Sequence, residues 1–238
     1  MARSTHGTRA HDTYEGIRAD ILAGRLAPGE RLKFPELCRR YGVGVGVVRE
    51  ALTRLVEQDL IRSQPHLGFQ VVPLSADDLT ELTAARVEIE GLVFRHSIEE
   101  GDVAWESDLV AKHHTLERTQ QYDASDPTRV SDAWSAAHTA FHNALLNGCR
   151  NTRLRCVAIS MRDAAELYRA WSQQPERESH RDVVGEHRNL MELALARDID
   201  AAVNALADHI TRTTDVLLRR PAPGLSDLIA SPAEEPVA

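Results

Sequence analysis

The chain has 238 residues, a formal net charge of −8, 42% apolar residues and 27% charged ones. Those proportions exclude a disordered or fibrous chain and favour two globular domains of unequal size. No apolar run approaches the roughly 18 residues of a membrane span, and the opening MARSTHGTRAHDTYEG lacks the apolar centre of a secretory signal. A cytoplasmic location with no membrane partner is therefore expected. Cys38, Cys149 and Cys156 have no paired spacing and read as thiols of a reducing compartment. Charge is unevenly spread. Residues 1–75 hold 11 Lys/Arg against 8 Asp/Glu, net +3, and residues 76–238 hold 17 against 28, net −11. A small basic unit joined to a larger acidic one suits a DNA reader with a separate effector domain.

In chain order, residues 1–10 are expected as a flexible tail and 11–75 as the first domain. Tyr14, Ile17, Ile21 and Leu22 have helical spacing and stop at Gly24, where LAPGERL signals a turn. Pro35 to Tyr41 predicts a second short helix, ended by Gly42. Val48, Leu52, Leu55 and Val56 form the apolar stripe of a third, from about Val45 to Gln58. LIRSQ and GFQVVPL then read as a hairpin around the tip PHLG. Three helices and a hairpin define a winged helix-turn-helix, in which the N-terminal end of the third helix enters the major groove.

The tokens GRLAPGERL, VREAL and GFQV, in that order and spacing, resemble the DNA-binding domain of the GntR family. The resemblance implies that double-stranded operator DNA is a partner. Arg49 is then the leading candidate for DNA contact. Lys33, Arg39, Arg40 and Arg54 are candidates for phosphate, and His66 stands at the wing tip. Each of these also fits an ordinary solvated side chain. The family usually carries Ser-Arg-Thr/Ser-Pro before VREAL, whereas this chain has Gly44, Val45, Gly46 and Val47. A polar cap and one base contact are thus missing, and Val45 becomes a candidate for touching a thymine methyl.

From Ser75 onward helical signals dominate. Segments are predicted at 75–100, 103–121, 128–147, 152–172, 178–196 and 199–219, with breaks at Gly101, Asp126–Pro127, Gly148, Gln174–Pro175 and Asp198. The fold class is therefore mainly α, a winged helix-turn-helix followed by a six-helix antiparallel bundle over 76–220. Residues 221–238, rich in Pro, Ala and Glu, are expected as a second flexible tail. His138 and His142 are spaced i, i+4, so they share a helix face and can hold a metal together. His187 and His209 lie in later helices, and spacing alone does not bring them to that pair.

Residues 77–219 resemble the helical FCD effector domain of the FadR-type branch. The matching stretches are Arg86 to Glu90, FHNALL from Phe141, and EHRNLMELALARDIDAAVNAL with His209-Ile210. The resemblance implies a divalent ion on His138, His142, His187 and His209. The family commonly has Asp or Asn where His138 stands, so this set is all imidazole. Such a set favours zinc, nickel or copper over manganese or magnesium, with zinc or nickel expected. The resemblance further implies a small carboxylate effector completing the metal shell, aided by Arg86. Arg86 is either that anion's partner or simply the partner of Glu90, and Tyr168 and Arg169 are expected to line the same cavity.

The function implied is a homodimeric transcription regulator, in the usual case a repressor released by a small organic acid, and not an enzyme. A regulator for which the metal itself is the signal is the nearest alternative. A His-cluster metalloenzyme is the more distant one, because no Glu or Asp adjacent in sequence has a clear base role.

Overall fold

The structure is a computed structural model that describes residues 9–64, 68–126, 130–172 and 181–219. His66 and the tail 221–238 lie outside the described residues. The first three helices are α1 (Arg9–Leu22), α2 (Phe34–Tyr41) and α3 (Val45–Val56), and a sheet of β1 (Arg31–Leu32), β2 (Ile61–Gln64) and β3 (Gly68–Val71) completes the head. Helix α1 takes in Arg9 and buried Ala10, two residues assigned above to a flexible tail. The sheet order is β1-β3-β2, all antiparallel, with Ile61 opposite Val71 and Leu32 opposite Phe69. The two-residue β1 lies within the stretch LAPGERL, whose sequence signals a turn, since two residues carry no periodicity. It forms because the free edge of β3 pairs with it.

Helix α2 has Pro at its first turn and ends at Gly42, whose φ of 65° needs the left-handed region that glycine enters freely. Ile17, Ile21, Val48, Leu52, Leu55 and Leu60 are fully enclosed and form the head's core. Asp20 ties three elements together. It accepts from the Tyr41 hydroxyl at 2.5 Å and pairs with Arg25 at 2.6 Å and Arg40 at 2.8 Å. Burial, together with the bond to Asp20, holds the Tyr41 hydroxyl in its protonated form well above neutral pH.

The bundle comprises α4 (Ala76–Glu100), α5 (Val103–Arg118), α6 (Asp132–Leu146), α7 (Thr152–Ser172), α8 (Val183–Leu195) and α9 (Ile199–Arg219). Side-chain caps explain several starts: Ser75 accepts from the Asp78 amide, Asp102 from Trp105, Ser131 from Trp134 and Asp182 from Gly185. Three boundaries differ from the sequence reading. Helix α5 stops at Arg118 and α6 begins at Asp132, because Val130 bridges to Tyr122 and Ser131 bonds back to Gln121 and Gln120. Helix α8 begins at Val183, after its Asp182 cap.

Phe94, Ile98, Leu109, Phe141, Leu145 and Leu146 anchor the bundle core. Gly148, after α6, passes so close to α4 that a Cβ there would strike the Ser97 carbonyl, and the Ser97 hydroxyl accepts from the next amide, that of Cys149, at 2.9 Å. Because the obstacle is backbone, Gly148→Ala is expected to destabilise the protein by about 1–3 kcal/mol, measured by urea unfolding. An unchanged midpoint would contradict this packing.

The head rests on the bundle. Leu79 of α4, Leu167 and Tyr168 of α7, and Leu217 of α9 belong to the head's own apolar cluster, and Arg18 of α1 pairs with Asp163 of α7 at 2.5 Å.

Candidate metal centre and DNA-reading head

Helix α6 buries Trp134, Ala137, Phe141, Ala144 and Leu145, and this face also carries His138 and His142 inward. His187 enters from α8 and His209 from α9. All four rings are buried, and each offers a donor atom within 4.8 Å of the others. His142 Nε2 and His187 Nε2 stand 3.2 Å apart. Zinc–nitrogen bonds near 2.0 Å at tetrahedral angles put two ligand nitrogens roughly 3.3 Å apart, so this pair matches the edge of such a shell. His138 Nδ1 and His142 Nδ1 are buried without a hydrogen-bond partner. Burial, reinforced by nearby arginines and by the neighbouring imidazoles, pushes His138 and His142 well below the usual histidine range. Burial and His209 do the same for His187. The rings are therefore neutral near pH 7, the form that ligates a metal. The donor set and its geometry fit a divalent ion.

A surrounding layer holds the imidazole rings in place. His209 Nδ1 lies 2.8 Å from Glu186, which also accepts from Arg181 Nε at 2.9 Å and Nη2 at 2.5 Å. This fixes the His209 ring and leaves its Nε2 to face the cluster. Burial opposes the Glu186 charge, but the bonds from His209 and Arg181 outweigh it and hold the carboxyl far below its ordinary range. Trp134 stacks on His138, centroids 4.9 Å apart and planes inclined by 20°, with the Arg169 guanidinium 5.3 Å over the indole. Glu166 lies 4.0 Å from His138 and is paired with Arg169. Carboxylates do therefore adjoin the cluster, which neighbouring positions in the sequence did not suggest, yet each is neutralised by an arginine.

A small cavity opens on the cluster, lined among others by Arg86, Arg162, Arg169, His138, His142 and His209. Arg86 Nε pairs with Glu90 at 2.6 Å while lining this cavity. Arg169 lines it as well. Tyr168 does not, and its assignment to the cavity is corrected. Successive helical residues diverge by about 100°, so Tyr168 turns to the head, where its hydroxyl donates to Asp78 and accepts from the Ser75 amide at 3.3 Å. Arg162, Glu166, Arg181 and Glu186 escaped the sequence reading. Only Glu186, next to His187, carried a usable signal.

In the head, Arg49 is exposed on α3, its guanidinium 4.8 Å over the Phe34 ring, and Arg39 is exposed on α2. Val45 at the start of α3 is half exposed. Lys33 pairs with Glu36 at 3.1 Å in full solvent. Arg40 and Arg54, expected to meet phosphate, are engaged within the head. Arg40 holds Asp20, and Arg54 stacks 4.1 Å over Tyr14. Gly44 begins α3 without a side-chain cap, and a Cβ on Gly46 would meet open space. Gly46→Ala should therefore stabilise the head by up to about 1 kcal/mol, read as a higher denaturation midpoint. A lower midpoint would mean that α3 starts elsewhere.

A three-helix head with a β-hairpin wing on a helical bundle is the architecture of a winged helix-turn-helix transcription regulator. Residues 9–71 match the family of bacterial regulatory proteins, gntR family, and residues 81–212 match the FCD domain. The chain belongs to the GntR family of transcription regulators, in the branch with an FCD domain. It is 36% identical over 205 residues to the HTH-type transcriptional regulator BphR of Paraburkholderia xenovorans (strain LB400), covering 86% of this chain and 83% of that protein. It is 32% identical over 202 residues to the HTH-type transcriptional repressor GlaR of Escherichia coli (strain K12), covering 84% and 91%. Among solved structures, E. coli McbR/YncC shares the fold with a TM-score of 0.74 at 18% identity, over 90% of this chain and 99% of that one. Among the described residues, no helix is long and apolar enough to cross a membrane.

Proposed function

We propose that the protein is a homodimeric repressor whose grip on its operator is set by a small carboxylate bound beside a metal ion. The observation that carries this reading is the convergence of four buried, neutral imidazoles beneath a cavity ringed with arginine. His138, His142, His187 and His209 would hold the ion, zinc or nickel by the softness of the donors. The ion would supply a Lewis-acidic centre that an oxygen anion can complete. The chain's own residues do the rest: Glu186 and Arg181 hold His209, Trp134 covers His138, and the arginines balance an incoming carboxylate. The effector acts by binding one arrangement of the two heads better than the other. Arg49 and Val45 would face base edges, with Arg39 and Lys33 on phosphate.

The test uses the full chain and the DNA upstream of its own gene. Metal content is measured on purified protein, and gel shifts are run with a panel of small mono-, di- and hydroxycarboxylates. A DNA complex that one acid weakens at least fivefold, only while metal is bound, is the expected result. An acid response that survives complete chelation would sink this reading. Four protein donors can already close a tetrahedral shell, which favours one second reading, that the ion itself is the signal. In that case chelation alone shifts operator affinity and no acid does.

A further inference from the structure

The charges around the cavity do not balance. Arg169 is matched by Glu166, and Arg181 by Glu186. On the remaining wall, two arginines share one carboxylate. Arg86 Nε sits 2.6 Å from Glu90, and Arg162 Nη1 reaches the same carboxylate from α7 at 3.6 Å. Glu90 is 1% exposed and Arg162 6% exposed, and Arg162 Nε has no hydrogen-bond partner. Burial lowers the Arg162 pKa to about 10, so the group remains a cation at neutral pH. A buried, surplus and incompletely bonded guanidinium costs several kilocalories unless an anion meets it.

The next residue faces the other way. On α7 the i, i+4, i+7 row Arg162, Glu166 and Arg169 lines the cavity. One row around, Asp163 holds Arg18 of α1 at 2.5 Å and Leu167 enters the head's apolar cluster. Both members of the Arg18–Asp163 pair are largely buried, with side chains 21% and 11% exposed. Resting on the carboxylate reading above, we propose that Arg162 is the residue that seats the effector's anionic group, and that the adjoining Asp163–Arg18 pair makes the head respond to its engagement. Arg162 binds; Asp163 and Arg18 are positioning residues. An anion bonded to Arg162 relieves its reliance on Glu90 and favours whichever setting of α7 brings the guanidinium to the ligand. Asp163, rigidly joined to Arg162 by one helical step, moves with it, and α1 follows through Arg18.

The probe is acetate, titrated into zinc-loaded full-length protein by calorimetry and, separately, into its complex with its own upstream DNA by fluorescence anisotropy. Arg162→Gln is expected to weaken acetate binding at least tenfold with zinc stoichiometry unchanged. Asp163→Asn, nearly isosteric, is expected to keep acetate affinity within about threefold while the acetate-induced change in DNA affinity falls at least fivefold. The exchanged pair Arg18→Asp with Asp163→Arg is expected to recover at least half of that change. Wild-type acetate affinity in Arg162→Gln, or a full DNA response in Asp163→Asn, would overturn the inference alone. If wild-type protein binds zinc and DNA but ignores acetate and every other carboxylate, the functional reading falls and takes this inference with it.

Discussion

Alanine at His187 is expected to lower zinc affinity by at least about 100-fold, beyond the 10–100-fold typical of losing a supporting group. His187 is the ring to remove because it stands beside both His142, at 3.2 Å between Nε2 atoms, and His209, with centroids 5.0 Å apart. Without it three donors remain, and one corner of a tetrahedral shell is left open. Glu186→Gln gives the graded control. It keeps the size of the side chain but loses the charge that orients His209, so a loss nearer tenfold is expected. Metal removal should also be visible as stability. At an ion concentration about 1,000 times the wild-type Kd, binding adds about 4 kcal/mol to the folded state, and about 1.4 kcal/mol where affinity is 100-fold lower, so chelation should lower the melting temperature of wild-type protein at least twice as much as that of His187→Ala. Equal melting shifts in the two proteins would mean that the four histidines hold no ion.

Arg49→Ala is expected to weaken operator binding tenfold to a hundredfold with no loss of fold, since Arg49 is exposed and its guanidinium lies over the Phe34 face. The range corresponds to the roughly 1–3 kcal/mol of a good base or phosphate contact. Salt decides between the two. If Arg49 meets phosphate, the slope of log affinity against log salt falls by about one and all sequences weaken alike. If it meets a base, the slope is nearly unchanged and discrimination between operator and competitor DNA collapses. Arg40→Ala serves as the contrast. Its guanidinium is held by Asp20, so its removal should cost stability first and affinity only secondarily. An Arg49→Ala protein with wild-type affinity would place the reading surface elsewhere than on α3.

Much of this architecture is legible in local pattern. The helical periods of α1 and α3, the glycine that ends α2 and the alternating wing are all short-range signals. The pairing of His138 with His142 belongs with them, because one helical turn relates the two. What stayed hidden depends on distant partners. Ser131 and Thr128 are both residue types that cap helices, and the bridge between Tyr122 and Val130 decides where α6 starts. Arg162 looks like a surface residue until Glu90, 72 positions earlier, is seen to meet it in the core. Tyr168 and Arg169 adjoin in sequence but lie on different faces of α7, one to the head and one to the cavity. The gathering of His187 and His209 with the α6 pair followed from family resemblance, and spacing offered no route to it.

The stacking of Trp134 on His138 gives the protein a fluorophore in contact with the chamber that gathers the four histidines. An indole face is electron-rich, so its emission responds to charge brought against it. Loading His138 with a cation, or drawing Arg169 away from its place 5.3 Å above the ring, changes that field directly. Trp105 provides an internal reference, its indole N–H fixed to the Ala144 carbonyl at 2.8 Å in another part of the bundle core. The difference in emission between wild type and Trp134→Phe therefore isolates one chromophore. Through it, filling of the chamber can be followed in real time, without a label and without DNA present.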